Sequence, residues 1–321
     1  MILGLAQAKE AYRRQRFRRT YFSPRRLGSS RLWLLNNVPQ HIKLYYEYCA
    51  AGVARQLRAH PSHRDVYLCF AKHVTSLPGD AWTIVLQVEQ TVLAPTHPQD
   101  EAVESTLPFE NTNQHYLARL LGPRQGYAAA SRIIEYSKAN IEHIQHSIIN
   151  FLYEDKAFYI APLLGKETNR VEPMSPVSVK TMFGSPHLGR RRELIRELKK
   201  SDLEVSNIHN YDDYRGAFEN CSVLVNYRQF SHFRTVEELR ILPALLQRVI
   251  VVSESGPYLD HIPYRRFARF ADSDEFVKEV LQAVGSYEST WEELFGQYSE
   301  FSDLIQQLRL DNETNFRLLV S

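Results

Sequence analysis

The chain has 321 residues, of which 44% are hydrophobic and 24% are charged, the composition of a globular protein with one large domain or two medium ones. It contains no run of about 18 apolar residues, so the sequence excludes a membrane-spanning helix. Apolar residues 1–5 are soon followed by basic residues, the reverse of a secretory signal, and we expect a cytoplasmic protein. The cysteines are too far apart for a disulfide framework or a metal site, and we expect them to be reduced and buried: Cys49, Cys69 and Cys221.

Positive charge is concentrated in the first 31 residues. They contain nine arginines and lysines against Glu10 alone, so this segment carries +8 and the rest of the chain carries −6 of the total of +2. We expect residues 1–30 to form a basic N-terminal arm, either mobile and solvated or in contact with a phosphate-bearing partner, which is an anionic membrane surface or a phosphorylated acceptor. No second basic stripe or nucleic-acid-binding motif follows in the sequence, so we expect no nucleic-acid partner.

Residues 31–168 are expected to form the first of two α/β domains. Apolar runs rich in β-branched residues predict strands, and apolar residues at helical spacing predict helices. The predicted elements are a strand over 31–37, a helix over 43–60, strands over 65–70 and 82–90, a surface loop over 94–113, a helix over 113–121, a strand over 132–137, a helix over 138–151 and a strand over 158–162.

The second domain, residues 169–288, follows a turn-rich connector over 165–177 and is more regular. Its predicted strands lie over 178–183, 203–209, 222–227, 248–253 and 267–271, and its predicted helices over 190–200, 212–219, 236–247 and 273–284. This alternation predicts a parallel sheet with right-handed crossovers. Residues 289–321 have apolar residues at helical spacing, and we expect these C-terminal amphipathic helices to pack on the first domain.

Ligands of such a sheet bind at the carboxyl ends of its strands. After the strand that ends at Phe183, Gly184 and Ser185 form a turn, and Arg190 and Arg191 begin the next helix. A tight turn, a helix N-terminus and two guanidinium groups can hold a diphosphate. The segment has neither Walker nor GxGxxG spacing, and the alternative is a turn before a solvated basic helix face.

Two more polar loops follow strands of the second domain. One leads into a helix in which Thr235 and Glu238 have the spacing of a capping box, and a carboxylate there can also accept hydrogen bonds from the two hydroxyls of a ribose. The alternative is that Glu237 and Glu238 only stabilise the helix N-terminus. The candidate ligand-binding residues in and after these loops are Asn226, Arg228, Glu237, Arg240, Ser253 and Glu254.

In the first domain, Glu89 lies near the end of the strand over 82–90, where its carboxylate would face the cleft between the domains and act as a general base. The alternative for Glu89 is a structural cap. His209, at another strand end, is either a second cleft residue or a core histidine. The sequence contains no recognisable Ser-His-Asp or Cys-His arrangement and no metal-ligand spacing.

Five segments resemble, in their order, the motifs of one enzyme family. They are 132–140, 159–163, 183–185 with Arg190 and Arg191, 236–245 and 251–254. Over residues 130–285 the chain is similar to small GT-B-fold, nucleotide-sugar-dependent glycosyltransferases of bacterial and viral surface-glycan pathways, with a C-terminal domain like that of glycosyltransferase families 1 and 4. It departs from them at residues 134–137, where the family has Trp-Asp-Tyr-Ser, and at 226–228, where the family has Asn-x-His.

The resemblance implies an α/β fold of two Rossmann-like domains facing a central cleft, with a C-terminal helix that crosses back to the N-terminal domain. The C-terminal domain would bind the nucleotide sugar and the N-terminal domain the acceptor. Arg190 or Arg191 would contact the diphosphate, and Glu237 would contact the ribose or the sugar. The other residues implied in donor binding are Gly184, Ser185, His209, Asn226, Arg228, Arg240, Ser253 and Glu254.

The implied reaction, a step of polysaccharide biosynthesis, moves a sugar from a nucleoside-diphosphate sugar to a glycan, a lipid-linked or another hydroxyl acceptor. Arginines and helix N-termini, rather than a metal ion or a resident cofactor, would stabilise the charge that grows on the diphosphate. Glu89 would take the acceptor proton if the reaction inverts the anomeric carbon, whereas a retaining reaction requires no such base. The alternatives are a nucleotide-sugar epimerase of the same architecture and a non-catalytic nucleotide- or glycan-binding module.

Overall fold

The computed structural model describes residues 2–62, 64–94, 108–111, 114–209, 214–297 and 299–321. These residues form a six-stranded sheet, a five-stranded sheet and a small three-stranded sheet, together with helices that connect and cover them. The predicted α/β class with parallel sheets is therefore confirmed. Among the described helices, none is both long enough and apolar enough to cross a bilayer.

The first half of the chain contains the six-stranded sheet and the small sheet. Its elements are α1 (Ile2–Tyr21), β1 (Phe22–Leu27), β2 (Ser30–Leu35), α2 (Gln40–Ala59), β3 (Asp65–Cys69), α3 (Ala71–Val74), β4 (Trp82–Gln87), β5 (Val92–Leu93), β6 (Pro108–Asn111), β7 (Gln114–Ala118), α4 (Arg124–Ala129), β8 (Arg132–Glu135), α5 (Lys138–Gln145) and β9 (Ala157–Tyr159). The large sheet has the order β1-β2-β3-β4-β8-β9, and all neighbouring strands are parallel except β1 and β2.

The second half contains the five-stranded sheet and the C-terminal helices. Its elements are β10 (Val179–Thr181), α6 (Gly189–Lys200), β11 (Val205–Asn207), α7 (Tyr214–Phe218), β12 (Val223–Asn226), α8 (Glu238–Leu246), β13 (Ile250–Glu254), β14 (Arg269–Ala271), α9 (Phe276–Gly285), α10 (Tyr287–Phe295) and α11 (Phe301–Val320). The sheet is parallel throughout, in the order β11-β10-β12-β13-β14. Its central strands are continuous apolar runs because both of their faces are buried.

The N-terminal segment differs from the expected arm. Its first part is helix α1, and its second part is strand β1, which pairs with β2 at the edge of the six-stranded sheet. Phe17 of α1 packs against Phe22 and His73, with ring centroids 6.3 and 6.2 Å apart. The sequence pattern does not indicate β1 because four of its six residues are exposed. The segment from residue 22 onward is therefore part of the first sheet.

The helix predicted over 113–121 is wrong. Residues 114–118 form strand β7, which pairs antiparallel with β5 and with β6. Pairing with neighbouring strands outweighs the weak local preference of so short a segment. Of the loop predicted over 94–113, residues 95–107 and 112–113 lie outside the described residues.

The C-terminal helix α11 contacts the first half of the chain. Phe316 of α11 is fully buried and its ring faces Gly52 of α2. The Asn312 amide accepts a hydrogen bond from the N–H of Ala161 and donates one to its carbonyl, both at 2.8 Å. Trp82 Nε1 donates to the Leu319 carbonyl at 2.9 Å. Part of α11 is thus packed against α2 and the first sheet, and the packing of residues 289–321 as a whole on a first domain stays a prediction.

Candidate active site

Four polar side chains meet at the carboxyl edge of the five-stranded sheet. Arg190, in the first turn of α6, forms an ion pair of 2.7 Å with Glu254, the last residue of β13. The Arg190 guanidinium also donates to the hydroxyls of Tyr227, which follows β12, and of Ser273, which follows β14, at 2.7 and 2.5 Å. The parallel strands produce this convergence, because all of their carboxyl ends lie on one edge.

Glu254 joins two guanidinium groups. It is only 4% exposed, and its Oε2 accepts hydrogen bonds from the backbone N–H and the Nε of Arg228 at 3.1 and 3.3 Å. Burial alone raises the pKa of Glu254, but the charges and hydrogen bonds of Arg228 and Arg190 outweigh it, so its pKa lies below the usual value. One carboxylate between two arginines leaves a net positive charge, and the partly exposed Arg190 side chain presents it to solvent.

Arg191 does not share this position. It is 4% exposed, its Nε donates to the Tyr227 carbonyl at 3.1 Å, and its guanidinium lies 4.4 Å from the ring centroid of Phe183. Successive helical residues point about 100° apart, so Arg191 is turned toward the sheet while Arg190 is turned toward its edge. Of the two arginines expected to contact a diphosphate, only Arg190 therefore remains a candidate.

The turn before α6 is open. Gly184 is exposed, and a Cβ at this position would meet nothing within 4 Å, while Ser185 is half-buried. Gly189 adopts the left-handed backbone conformation, with φ +50°. His209 is exposed, and its Nδ1 lies 3.2 Å from the amide nitrogen of Asn207. The turn is thus reachable by a ligand, and His209 is not a core histidine.

Asn226 and Ser253 occupy the ends of the two central strands. The Asn226 amide donates to the Ser253 hydroxyl at 3.0 Å. The Asn226 side chain is 4% exposed, and its Oδ1 has no hydrogen-bond partner. A buried, unpaired acceptor is costly, and a ligand hydroxyl or N–H at this edge would satisfy it.

A second group of charged residues lies where the two halves of the chain meet. Gln90, in the loop after β4, donates from Nε2 to Oε1 of Glu237, and the guanidinium of Arg240 lies 3.9 Å from the other Glu237 oxygen. Burial, and to a lesser degree the charge of Glu237, raises the pKa of Glu89, while Arg119 opposes this rise. Glu89 and Glu237 therefore share one electrostatic environment although they come from different halves.

The capping box expected from Thr235 and Glu238 is wrong. Helix α8 begins at Glu238 without a side-chain cap. The Thr235 hydroxyl instead accepts hydrogen bonds from backbone N–H groups of the first half, described below, and Glu238 accepts from the N–H of Lys138 at 3.1 Å and from the Tyr159 hydroxyl at 2.6 Å. Both side chains face the first half of the chain, and burial raises the pKa of Glu238 to about 7.

Residues 226–237 connect the two groups of charged residues. Arg228 donates from Nη1 to the Arg234 carbonyl at 3.1 Å, and the N–H of Arg234 donates to the Val92 carbonyl at 2.8 Å. Burial raises the pKa of Tyr116 in β7, and the charges of Arg234 and Arg228 oppose this rise. The roles of Tyr227, Ser273 and Thr235 were not predicted, because a lone hydroxyl carries no sequence signal of its position.

In the described part of the chain, no three His, Cys, Asp or Glu side chains are grouped so that they could hold a metal ion. The site residues brought together at the sheet edge are Arg190, Arg228, Asn226, Ser253 and Glu254, and those at the meeting of the two halves are Glu89, Glu237 and Arg240. That the two groups line a single crevice stays a prediction.

Comparison with known proteins gives distant similarities. No protein-family model matches the chain. The uncharacterized protein R358 of Acanthamoeba polyphaga mimivirus is 22% identical over 174 residues, which is 53% of this chain and 59% of the mimivirus protein. The chain thus matches about three fifths of that relative.

The solved structures to which the chain is similar include TarM, with a TM-score of 0.43 and 12% identity over 82% of this chain and 58% of TarM. The wall teichoic acid polymerase TagF has a TM-score of 0.37 and 9% identity, over 100% of this chain and 97% of TagF. With scores below 0.5, neither likeness bears on the chemistry of the site.

Proposed function

We propose that this protein is a metal-independent glycosyltransferase that moves a sugar from a nucleoside-diphosphate sugar to a hydroxyl of a glycan or lipid-linked acceptor. The observation that carries the proposal is the placement of Arg190 at the carboxyl edge of a parallel sheet, ion-paired to Glu254 and hydrogen-bonded to Tyr227 and Ser273. The order of the sequence motifs supports it, since Arg190 and Glu254 belong to two of them.

Breaking the bond between the sugar and the diphosphate leaves a nucleoside diphosphate with increased negative charge. Arg190 can form charge-assisted hydrogen bonds to it. Helix α6 has no acidic residue in its first turn, so its N-terminal partial charge is not neutralised there. Because both are already in position before reaction, they can stabilise the leaving group at small reorganisation cost.

We assign the donor contacts as follows. Glu254 orients Arg190, Glu237 binds the ribose or sugar hydroxyls, and Asn226 supplies the free Oδ1 acceptor. The remaining donor-binding residues of the proposal are Gly184, Ser185, His209, Arg228, Arg240 and Ser253. The donor is a substrate, and the proposal includes no resident cofactor.

In an inverting reaction, Glu89 is the proposed base. The acceptor oxygen forms a bond to the anomeric carbon, the bond from that carbon to the diphosphate oxygen breaks, and the acceptor proton moves to the Glu89 carboxylate. Burial raises the pKa of Glu89, which makes its carboxylate a stronger base. A retaining reaction needs no such base, and a Glu89 variant with normal turnover would indicate it.

We also propose that an anionic membrane surface is a partner. Helix α1 and strand β1 expose five arginines that lie close together in sequence, a set that we call the basic face: Arg13, Arg16, Arg19, Arg25 and Arg26. A lipid-linked acceptor would be presented at such a surface. The charge of the face is that expected for contact with anionic lipid headgroups.

The test is nucleotide binding by Arg190→Ala. A thermal-shift panel of UDP, GDP, CMP, dTDP and their sugars first identifies the donor, because a ligand of the native state raises the melting temperature. Loss of the charged contacts should weaken nucleoside-diphosphate binding about 10- to 100-fold. Arg196→Ala, on the same helix but exposed, is the matched control.

Unchanged affinity in Arg190→Ala contradicts the proposed diphosphate contact. Donor binding without sugar transfer to any acceptor indicates a binding module, and conversion of the donor to its epimer without an acceptor indicates an epimerase.

A further inference from the structure

We propose that Thr235 is a positioning residue that holds Glu89 in place relative to Glu237, through hydrogen bonds to the Glu89–Val92 loop and to Asn140. The inference rests on the proposed function, in which Glu89 is the base and Glu237 binds the donor. Thr235 belongs to the second half of the chain, and the loop and Asn140 belong to the first.

The Thr235 hydroxyl is fully buried and fully used. It accepts hydrogen bonds from the backbone N–H groups of Thr91 and Val92, both at 2.9 Å, and donates one to Oδ1 of Asn140, also at 2.9 Å. A hydroxyl has one donor and two acceptor sites, so Thr235 makes its full complement of three hydrogen bonds across the junction between the halves.

Asn140 extends these contacts to Glu89 itself. Its Nδ2 donates to the Glu89 carbonyl at 3.3 Å and to Oε1 of Glu135 at 2.9 Å. Glu135 is in turn fixed, because its carboxylate accepts hydrogen bonds from the N–H of Tyr136 at 3.0 Å and from the Tyr153 hydroxyl at 2.8 Å. The backbone of Glu89 is thereby tied to the end of strand β8.

The same contacts, together with the hydrogen bond from Gln90 to Glu237, define where Glu89 lies relative to the donor-binding residues. Thr235 is two residues before Glu237, and the loop it binds begins with Glu89. The adjoining backbone bonds, from Arg234 N–H to the Val92 carbonyl and from Ala94 N–H to the His232 carbonyl, are both 2.8 Å and continue the junction without reaching Glu89. Loss of the hydroxyl would therefore loosen the loop on the side nearest the base.

A loosened Glu89–Val92 loop would change the pH dependence of the reaction, which a loss of stability alone would not do. Burial is the main cause of the raised pKa of Glu89, and the charged groups that act on its carboxyl are Arg119 and Glu237. The hydroxyls of Tyr127 and Tyr136 also interact electrostatically with it. A loop that samples more hydrated positions would lower that pKa. The acid limb of the kcat profile would then move to lower pH while kcat falls, whereas donor KM would stay close to that of the native protein.

The experiment compares Thr235→Val, which keeps the shape and removes the hydroxyl, with Thr235→Ser, which keeps the hydroxyl. Thr235→Val should lower kcat about 10- to 100-fold, since small misplacements of catalytic groups cost this much. It should shift the acid limb downward and speed hydrogen exchange of the Thr91 and Val92 amides. Thr235→Ser should restore all three. Thr83→Val, which loses a single buried hydroxyl contact, at 3.2 Å to Ser131 N–H, is the control away from the junction and should change none of them.

Native kcat, pH profile and amide exchange in Thr235→Val would overturn the inference, as would an equal loss of kcat in Thr83→Val. The exchange measurement needs no turnover. If the native protein transfers no sugar, the proposed function fails, and unchanged exchange at Thr91 and Val92 would separately overturn the contact between Thr235 and the loop.

Discussion

Glu89 is the residue that we propose as the base of the proposed reaction. It is half-buried in the loop after β4, and that burial raises the pKa of its carboxyl, while Glu237 raises it further and Arg119 lowers it. A carboxyl with a raised pKa stays protonated, and so cannot accept a proton, up to a higher pH than usual. Activity should therefore rise with pH through an apparent pKa above the usual carboxyl value.

We predict that Glu89→Gln lowers kcat about 10²- to 10⁴-fold, because an amide cannot take the acceptor proton. The acid limb of the kcat profile should disappear with it, and donor binding should be unchanged. The pH dependence of initial rates checks this. Glu47→Gln, on the exposed face of α2, is the control. Full activity of Glu89→Gln would eliminate Glu89 as the base.

The sequence predicted which polar residues lie near the ends of strands, but it did not predict where their side chains point. Arg190 and Arg191 are adjacent in sequence and equally suited to phosphate, yet one reaches Glu254 and the other packs on Phe183. Glu238 fits a capping box by spacing, and instead it is buried against Tyr159. In both cases the rotation of the helix relative to the sheet determines where the side chain points. That rotation is known only from the tertiary structure.

At the scale of elements, the second half was predicted better than the first. Its helices and strands alternate, and continuous apolar runs such as residues 250–252 identify buried parallel strands. The sequence does not indicate strand β1 because serine, proline and two arginines occupy its exposed positions, and it does not indicate β7 because the pairing of that strand with β5 and β6, not its apolar content, defines it. Strands defined by pairing rather than by apolar content are therefore the ones that the sequence does not reveal.

The contact between α2 and α11 depends on a glycine. A Cβ at Gly52 would overlap the ring of Phe316, which is fully buried and cannot move aside freely. Alanine is the better helix former by about 1 kcal/mol, but the overlap costs about 1–3 kcal/mol. The clash should dominate, because three ring atoms lie within the space that the methyl group needs.

We therefore predict that Gly52→Ala lowers the free energy of unfolding by about 1–2 kcal/mol, measured by denaturant unfolding. Gly285→Ala is the control, because it lies in helix α9 with nothing within 4 Å of the added Cβ. The double variant Gly52→Ala, Phe316→Leu should recover part of the loss. A Gly52→Ala protein as stable as the native one would show that the ring adjusts without cost.

At the scale of the whole molecule, charge is distributed unevenly, because the first 31 residues carry +8 and the rest of the chain carries −6. Because of the structure, deletion of the N-terminal segment is not a clean test of what its charge does. Deleting residues 1–26 would remove most of strand β1 and expose the edge of β2, so reduced binding by a truncated chain would have two causes. Substitutions that leave the fold intact show the effect of the charge alone on membrane binding.

We predict that replacing the five arginines of the basic face by glutamine weakens binding to vesicles of anionic lipid at low salt. Each arginine near such a surface contributes about 1 kcal/mol, and their side chains are exposed, so the fold should be unaffected. Cosedimentation with vesicles containing phosphatidylserine measures the effect, and raising the salt should reduce the binding of the native protein. The control removes the same charge elsewhere, by glutamine at Arg58, Arg192, Arg196, Arg309 and Arg317. Equal binding by the native and the basic-face variants would show that the face does not contact lipid, and equal loss in both variants would show that only net charge matters.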